Sequence, residues 1–351
     1  MNKALILTML IGGMYGNIAT PIAIQSATAA PLPKVDSPFA QRSVRIASAF
    51  AEGMERLLQR QTLRYRQRSV AAQPSKIELL TPGAEPRREL KFRPAANSKQ
   101  TMTMTMGMSM DMSMGDTPLP KTPIPKMVIK MDLNVQKVDP SGDIYYNFTY
   151  GDIKAIAEKD TPPAMVAAMQ KSLKSLIGIQ GNIVIDSSGL VKSKNLVLPK
   201  TVDPTLKETL EQFNKSIDQI STQLPSGMLG VGAKWQVNNS LQSGGIKFNQ
   251  SSIYEIMEMN DLGMTVQTKV NQSALPQDLK LPNLGKDVKA KLTSLNSTGE
   301  GQYRVKFDSL LPISGKLLIN TNSKMSIQVS PKEPPANVVN NIAIDLNISD
   351  K

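Results

Sequence analysis

The chain has no cysteine and no histidine in 351 residues, and these two absences exclude most of the familiar protein chemistry. Ser-His-Asp and Cys-His catalysis, zinc sites of the usual kind, histidine-held haem and iron–sulfur clusters all need one or the other. Disulfides are excluded too, so an oxidising compartment would be tolerated without being used for stability. Aromatic residues are 4% of the chain and the one tryptophan is Trp235. Basic residues interleaved with aromatics for base stacking are therefore missing, which argues against a nucleic-acid partner. No serine is followed three residues later by lysine, so the Ser-x-x-Lys acylation pattern is absent. Carboxylates remain, but Asp132, Asp139, Asp143, Asp186 and Asp308 fall at turns or on polar strand faces, where a turn-forming role is expected. The reading is a protein that is not an enzyme and carries no cofactor.

Apolar runs of membrane-span length are absent beyond the N-terminus. There, Lys3 precedes an apolar stretch broken by Gly12, Gly13, Gly16 and Pro21, and then Ala27-Thr28-Ala29. That order predicts a secretory signal peptide over 1–29, and hence a periplasmic or extracellular bacterial protein. The chain carries 41 Lys and Arg against 29 Asp and Glu, a formal charge of +12, which favours anionic surfaces. Residues 30–86 read as a basic helical arm and linker, the helix spanning about 37–70. Arg60, Arg64 and Arg68 on it would suit an anionic membrane surface; a solvated arm is the plainer reading.

Residues 87–351 read as an antiparallel β-rich domain. Its strongest signal is seven methionines at every second position, from Met102 through Met104, Met106, Met108, Met110 and Met112 to Met114. Side chains alternate faces along a strand, so the run predicts a ribbon about 40 Å long with one thioether face. Strands follow at Met127 to Val135 and Ile144 to Tyr150, then at Ile179 to Ile185 and Leu190 to Leu198. Helices are expected over Pro162 to Ile177 and from Asp203. Later strands are expected at Trp235 to Val237, Ile246 to Met259, Met264 to Val270 and Lys289 to Leu295. Four more follow, at Gln302 to Phe307, Lys316 to Ile319, Met325 to Val329 and Ile342 to Ile348. The glycine run Gly227 to Gly232 lacks the Lys-Ser/Thr ending of a phosphate loop and reads as a turn delivering Trp235 to the sheet. Val135-x-x-Val138-Asp139-x-x-Gly142 is echoed by Ile256-x-x-Met259-Asn260-x-x-Gly263, which suggests a two-half internal repeat.

The methionine face has three readings: ordinary core, the floor of a groove for an apolar or lipid ligand, or a thioether Cu(I)/Ag(I) site. Leu90 to Phe92, the Thr/Ser-Met strand, the Val135 to Gly142 turn, the tyrosine-rich strand and Gly230 to Trp235 together resemble an uncharacterised family of exported bacterial proteins of unknown function. That resemblance supplies no catalytic residues. By fold-level analogy the arrangement is also similar to the outer-membrane lipoprotein carrier architecture. The expected fold is α+β, mainly β: a long curved antiparallel sheet with two helices on its concave face. The expected function is binding or carriage of an apolar or amphipathic ligand, with Met102 to Met114, Met127, Met131 and Trp235 as its lining. A methionine-only Cu(I)/Ag(I) protein and a structural protein of the cell envelope are the alternatives.

Overall fold

The computed structural model describes residues 76–121, 123–174, 176–197, 224–243, 246–279, 289–328 and 334–350. The expected signal peptide, the expected basic helix with Arg60, Arg64 and Arg68, and the helix expected from Asp203 lie outside the described residues. The first half contributes β1 (Lys76–Thr81), β2 (Arg88–Glu89), β3 (Lys99–Met114), β4 (Thr117–Pro118), β5 (Lys126–Val138) and β6 (Ile144–Ile156). It continues through the helix α1 (Pro163–Lys174) to β7 (Gln180–Ile185) and β8 (Val191–Val197). The second half contributes β9 (Met228–Leu229), β10 (Lys234–Ser243), β11 (Ile246–Asn260), β12 (Gly263–Ala274), β13 (Gln277–Leu279), β14 (Lys289–Lys306), β15 (Ser314–Gln328) and β16 (Ala336–Ser349).

One large antiparallel sheet runs β1-β10-β11-β12-β14-β15-β16-β3-β5-β6-β7-β8, and β2 pairs β9 in a separate ribbon. Most neighbours in the large sheet follow one another in the chain. The two long-range joins are β1 to β10 and β16 to β3, so the methionine strand lies in the middle of the sheet, between β16 and β5. The stretch read as linker thus contains an edge strand, β1.

Two hydrogen bonds show how strongly this sheet rolls. Phe92 N–H donates to Ser187 O after β7 (2.8 Å), and the next residue, Arg93, donates to Phe307 O after β14 (2.7 Å). In the sheet, β7 and β14 are separated by β15, β16, β3, β5 and β6. At about 4.8 Å per strand a flat sheet would hold them about 29 Å apart. Two adjacent amides reach acceptors no more than about 10 Å apart. The sheet therefore curls until these corners nearly meet, and residues 82–98 cross that end.

Inside the roll is one apolar core. Trp235 and Val237 of β10, Tyr254 and Ile256 of β11, Leu346 of β16, Met104 and Met106 of β3 and Ile183 of β7 all belong to it. The outward positions are polar, as in Arg304, Gln302, Glu300 and Thr298 of β14. Apolar inside and polar outside is the reverse of the pattern that faces lipid in a membrane barrel.

The helix α1 starts at Pro163, which suits a first turn. It buries Met165, Met169 and Leu173, and it lies on β6. Gln170 fixes it there, donating to Ile153 O (2.9 Å) and accepting from Ala155 N–H (2.8 Å). The expected pair of helices on a concave face is thereby corrected: a single short helix is found among the described residues, and the fold is mainly β. The physical reason is the roll itself. Side chains from opposite walls fill much of the interior, so a second covering helix is not required for the core to close.

The two turns noted as an echo are built alike. Asp139 Oδ1 accepts from Ser141 N–H (3.0 Å) and Asp143 N–H (2.9 Å), and Asn260 Oδ1 accepts from Leu262 N–H (3.0 Å) and Gly263 N–H (3.0 Å). A register shift precedes each turn, between Val135 and Lys137 and between Ile256 and Glu258.

Candidate functional site

The methionine stripe faces inward but not uniformly. Met102, Met104 and Met106 are 3%, 1% and 0% exposed, whereas Met110 and Met112 are half-buried. Opposite them, Met102 pairs with Met131 and Met106 with Met127, so thioethers from β3 and β5 share cross-strand positions. Met127 and Met131 are themselves buried. These five methionines form part of the packed core. Along β3 toward Met114 the inward face becomes accessible, where Met110 lies beside Ile342 and Met112 beside Asn340.

Trp235 lies deep in the core, fully buried and stacked on Tyr254 at 5.4 Å between ring centroids. The glycine turn before it is secured by Gly230 N–H donating to Pro82 O (2.9 Å) and Ala84 N–H donating to Val231 O (2.8 Å). A side chain at Gly230 would collide with the Ala84 carbonyl, so the turn needs glycine where residues 82–84 cross it.

The sequence reading missed a second inward feature. Asn239 of β10, Gln250 of β11, Gln272 of β12, Ser297 of β14 and Thr321 of β15 stand opposite one another in register across five adjacent strands. They share the inward parity of Trp235, Tyr254, Val266, Tyr303 and Leu317, and so form a polar row inside the roll. Gln272 Nε2 donates to Gln250 Oε1 (2.7 Å), Gln250 Nε2 to Ser252 Oγ (3.2 Å), and the Ser297 and Thr321 hydroxyls bond at 2.8 Å. Beyond this row a smaller apolar cluster of Met114, Ala290, Ile327 and Val338 lines the same face. The signal was available as polar residues at alternating positions, but which face they take follows only from the sheet.

Four of the five carboxylates singled out as possible acid–base groups, Asp132, Asp139, Asp143 and Asp186, hold structure. Asp186 Oδ1 accepts from Ser188 N–H (2.8 Å) and Leu190 N–H (3.0 Å). Asp143 pairs with Lys192 at 2.5 Å, and Asp132 accepts from the Thr101 hydroxyl at 2.6 Å. The Asp139 carboxyl is held below its ordinary range chiefly by the Ser141 hydroxyl, with help from the Asp143 and Ser141 amides. Burial pushes the Tyr146 and Tyr150 phenols well above theirs, as expected for neutral core hydroxyls. Among the described residues no cluster of three or more Asp and Glu could hold a metal ion, and no helix is long and apolar enough to cross a membrane.

What the fold and the site define is a rolled antiparallel sheet with a polar exterior and an inward face that is dry at one end and partly open at the other. No family model matches the chain, and no curated protein matches it. Among solved structures, OmpT, an in-vitro folded outer membrane protein of Vibrio cholerae in its trimer form, matches 72% of this chain and 100% of its own. The identity is 7% and the TM-score 0.19, a likeness too loose to carry an argument.

Proposed function

We propose that this is an exported bacterial protein that binds or carries an apolar or amphipathic ligand, a lipid, on the inward face of its rolled sheet. The observation that carries the reading is the half-buried inward strip of Met110, Met112 and Ile342, continuous with a sealed core. Flexible thioethers at such a margin adapt to acyl chains of varied shape. The deeper methionines Met102 to Met106, with Met127 and Met131, form the wall behind it, and Trp235 reports on its inner end. In this reading Arg60, Arg64 and Arg68 serve as contacts to an anionic membrane surface.

Native mass spectrometry of the protein taken from an oxidising bacterial periplasm tests this directly. Co-purified lipid, together with a Tm of the delipidated protein that rises when lipid is restored, is the expected result. An empty protein whose Tm no lipid changes would refute the proposal. The cross-strand pairs Met102–Met131 and Met106–Met127 favour a second reading, Cu(I) held by thioethers. It predicts anaerobic Cu(I) binding that Met102→Leu with Met106→Leu abolishes, whereas lipid binding survives that exchange.

A further inference from the structure

We infer that the bound amphiphile carries an uncharged, hydrogen-bonding head, such as a glycerol or sugar hydroxyl group, held by the inward polar row. This rests on the ligand-binding reading above and narrows it to a class of head group. Three observations converge on it.

The first is continuity. Gln250, Gln272, Ser297 and Thr321 are neighbours in register, and Gln272 and Thr321 are half-buried where the inward face opens. Their mutual hydrogen bonds use only part of their capacity: Gln272 retains its carbonyl oxygen and one N–H. The second is a pair of unpartnered groups two inward positions deeper along the same strands, about 13 Å from the row. Trp235 Nε1 and Thr268 Oγ1 have no hydrogen-bond partner among the described residues, and these residues are 0% and 2% exposed. They flank Tyr254 in one line across β10, β11 and β12. Protein interiors pair nearly all such groups, so a donor and a hydroxyl left facing inward mark a place for an external partner.

The third is the lack of charge at the described inward positions of this part of the sheet. The inward positions from β10 through β16 and β3 contain no Lys, Arg, Asp or Glu, in a chain with 41 basic and 29 acidic residues. Lys194 shares inward parity only on the far edge strand β8, four strands beyond β3. A phosphate, carboxylate or ammonium head would lose its hydration here without gaining a counter-charge. An uncharged polyol head loses far less and exchanges water for the amide and hydroxyl groups of the row. The apolar strip of Met110, Met112 and Ile342 on one side and the Met114 cluster beyond offer surface for its chain.

The test uses two probes with the same acyl chain: 1-monolauroylglycerol, and laurate ionised at pH 8, each below its aggregation concentration. Binding to the full-length mature protein is followed by fluorescence of the lone tryptophan, Trp235, and by calorimetry. The glyceride is expected to bind at least tenfold more tightly than laurate. Gln250→Leu with Gln272→Leu should shrink that ratio to below threefold, and if that pair fails to fold, the near-isosteric Thr321→Val serves in its place. Equal affinity for both probes, or a ratio that the variants leave unchanged, overturns the inference while lipid binding itself stands. Failure of both probes, with no lipid co-purifying, overturns the inference and the ligand-binding reading together.

Discussion

Met106 and Met112 lie six residues apart on one strand and face, yet they differ in what surrounds them. Met106 is fully buried between Leu346 of β16 and Met127 of β5, whereas Met112 lies at the open margin beside Asn340. Truncating a sealed core side chain removes its transfer free energy and leaves a cavity. Met106→Ala should therefore cost about 2–5 kcal/mol, and Met106→Leu under about 1.5 kcal/mol because volume is conserved. Met112→Ala should cost about 1 kcal/mol; urea unfolding compares the three. Gln100 offers a polar counterpart. Its Oε1 accepts from Leu310 N–H (2.8 Å), Leu311 N–H (3.0 Å) and Ser309 Oγ (3.1 Å), tying the β14–β15 loop to the start of β3. Gln100→Leu takes from Leu310 N–H its acceptor and leaves Leu311 N–H the longer bond to Ser309 Oγ (3.3 Å), at about 1–3 kcal/mol. The loss should appear as faster hydrogen exchange at Leu310 and Leu311, and unchanged exchange there would contradict the clamp.

At the level of elements, the turns after β5 and β11 do the same job with different chemistry. The Asp139 carboxylate is stabilised in the folded protein relative to its ordinary value of 3.8. Its contribution is present above that value and is lost as pH falls through the lowered folded value. Asn260 makes the equivalent bonds without titrating. Asp139→Asn should thus flatten the acid side of the Tm-against-pH curve, and Asn260→Asp should steepen it; identical curves would rule out the shared construction.

The same elements show what was legible in the sequence. Strict alternation revealed β3, β5 and β6, since polar and apolar residues there sort cleanly by face. It broke β14 and β15 into two strands each, because Ser297, Gly299, Gly301, Thr321 and Ser323 interrupt the apolar inward series. The interruption includes Ser297 and Thr321 of the polar row, so part of the candidate site that periodicity hid is the part that departs from a plain core. The β1–β10 and β16–β3 pairings could not be read from local pattern, because register between distant segments leaves no periodic trace.

For the whole molecule, the β16–β3 join decides whether two half-sheets become one roll. It unites the end of the chain with a strand near its start, and contacts such as Gln100 to Ser309 span 209 residues. Such non-local pairing carries a large loop-closure cost and makes folding slow. Once formed, β16 supplies Ile344, Leu346 and Ile348 as neighbours of Met108, Met106 and Met104. Removing residues 334–351 would expose β15 and β3 as long unpaired edges and strip one wall from the methionine core, and exposed edges of that length invite aggregation. Of the described residues, removing 1–81 takes the short edge strand β1 from the sheet and leaves the β16–β3 join intact. The first truncation is expected to lose the cooperative urea transition seen by Trp235 fluorescence and to elute as aggregate. The second should keep a cooperative transition, with a lower midpoint, and should not elute as aggregate. Two truncations of equal stability would mean that the roll is held by the crossing segment 82–98, with β16 dispensable, and the argument from sheet order would fail.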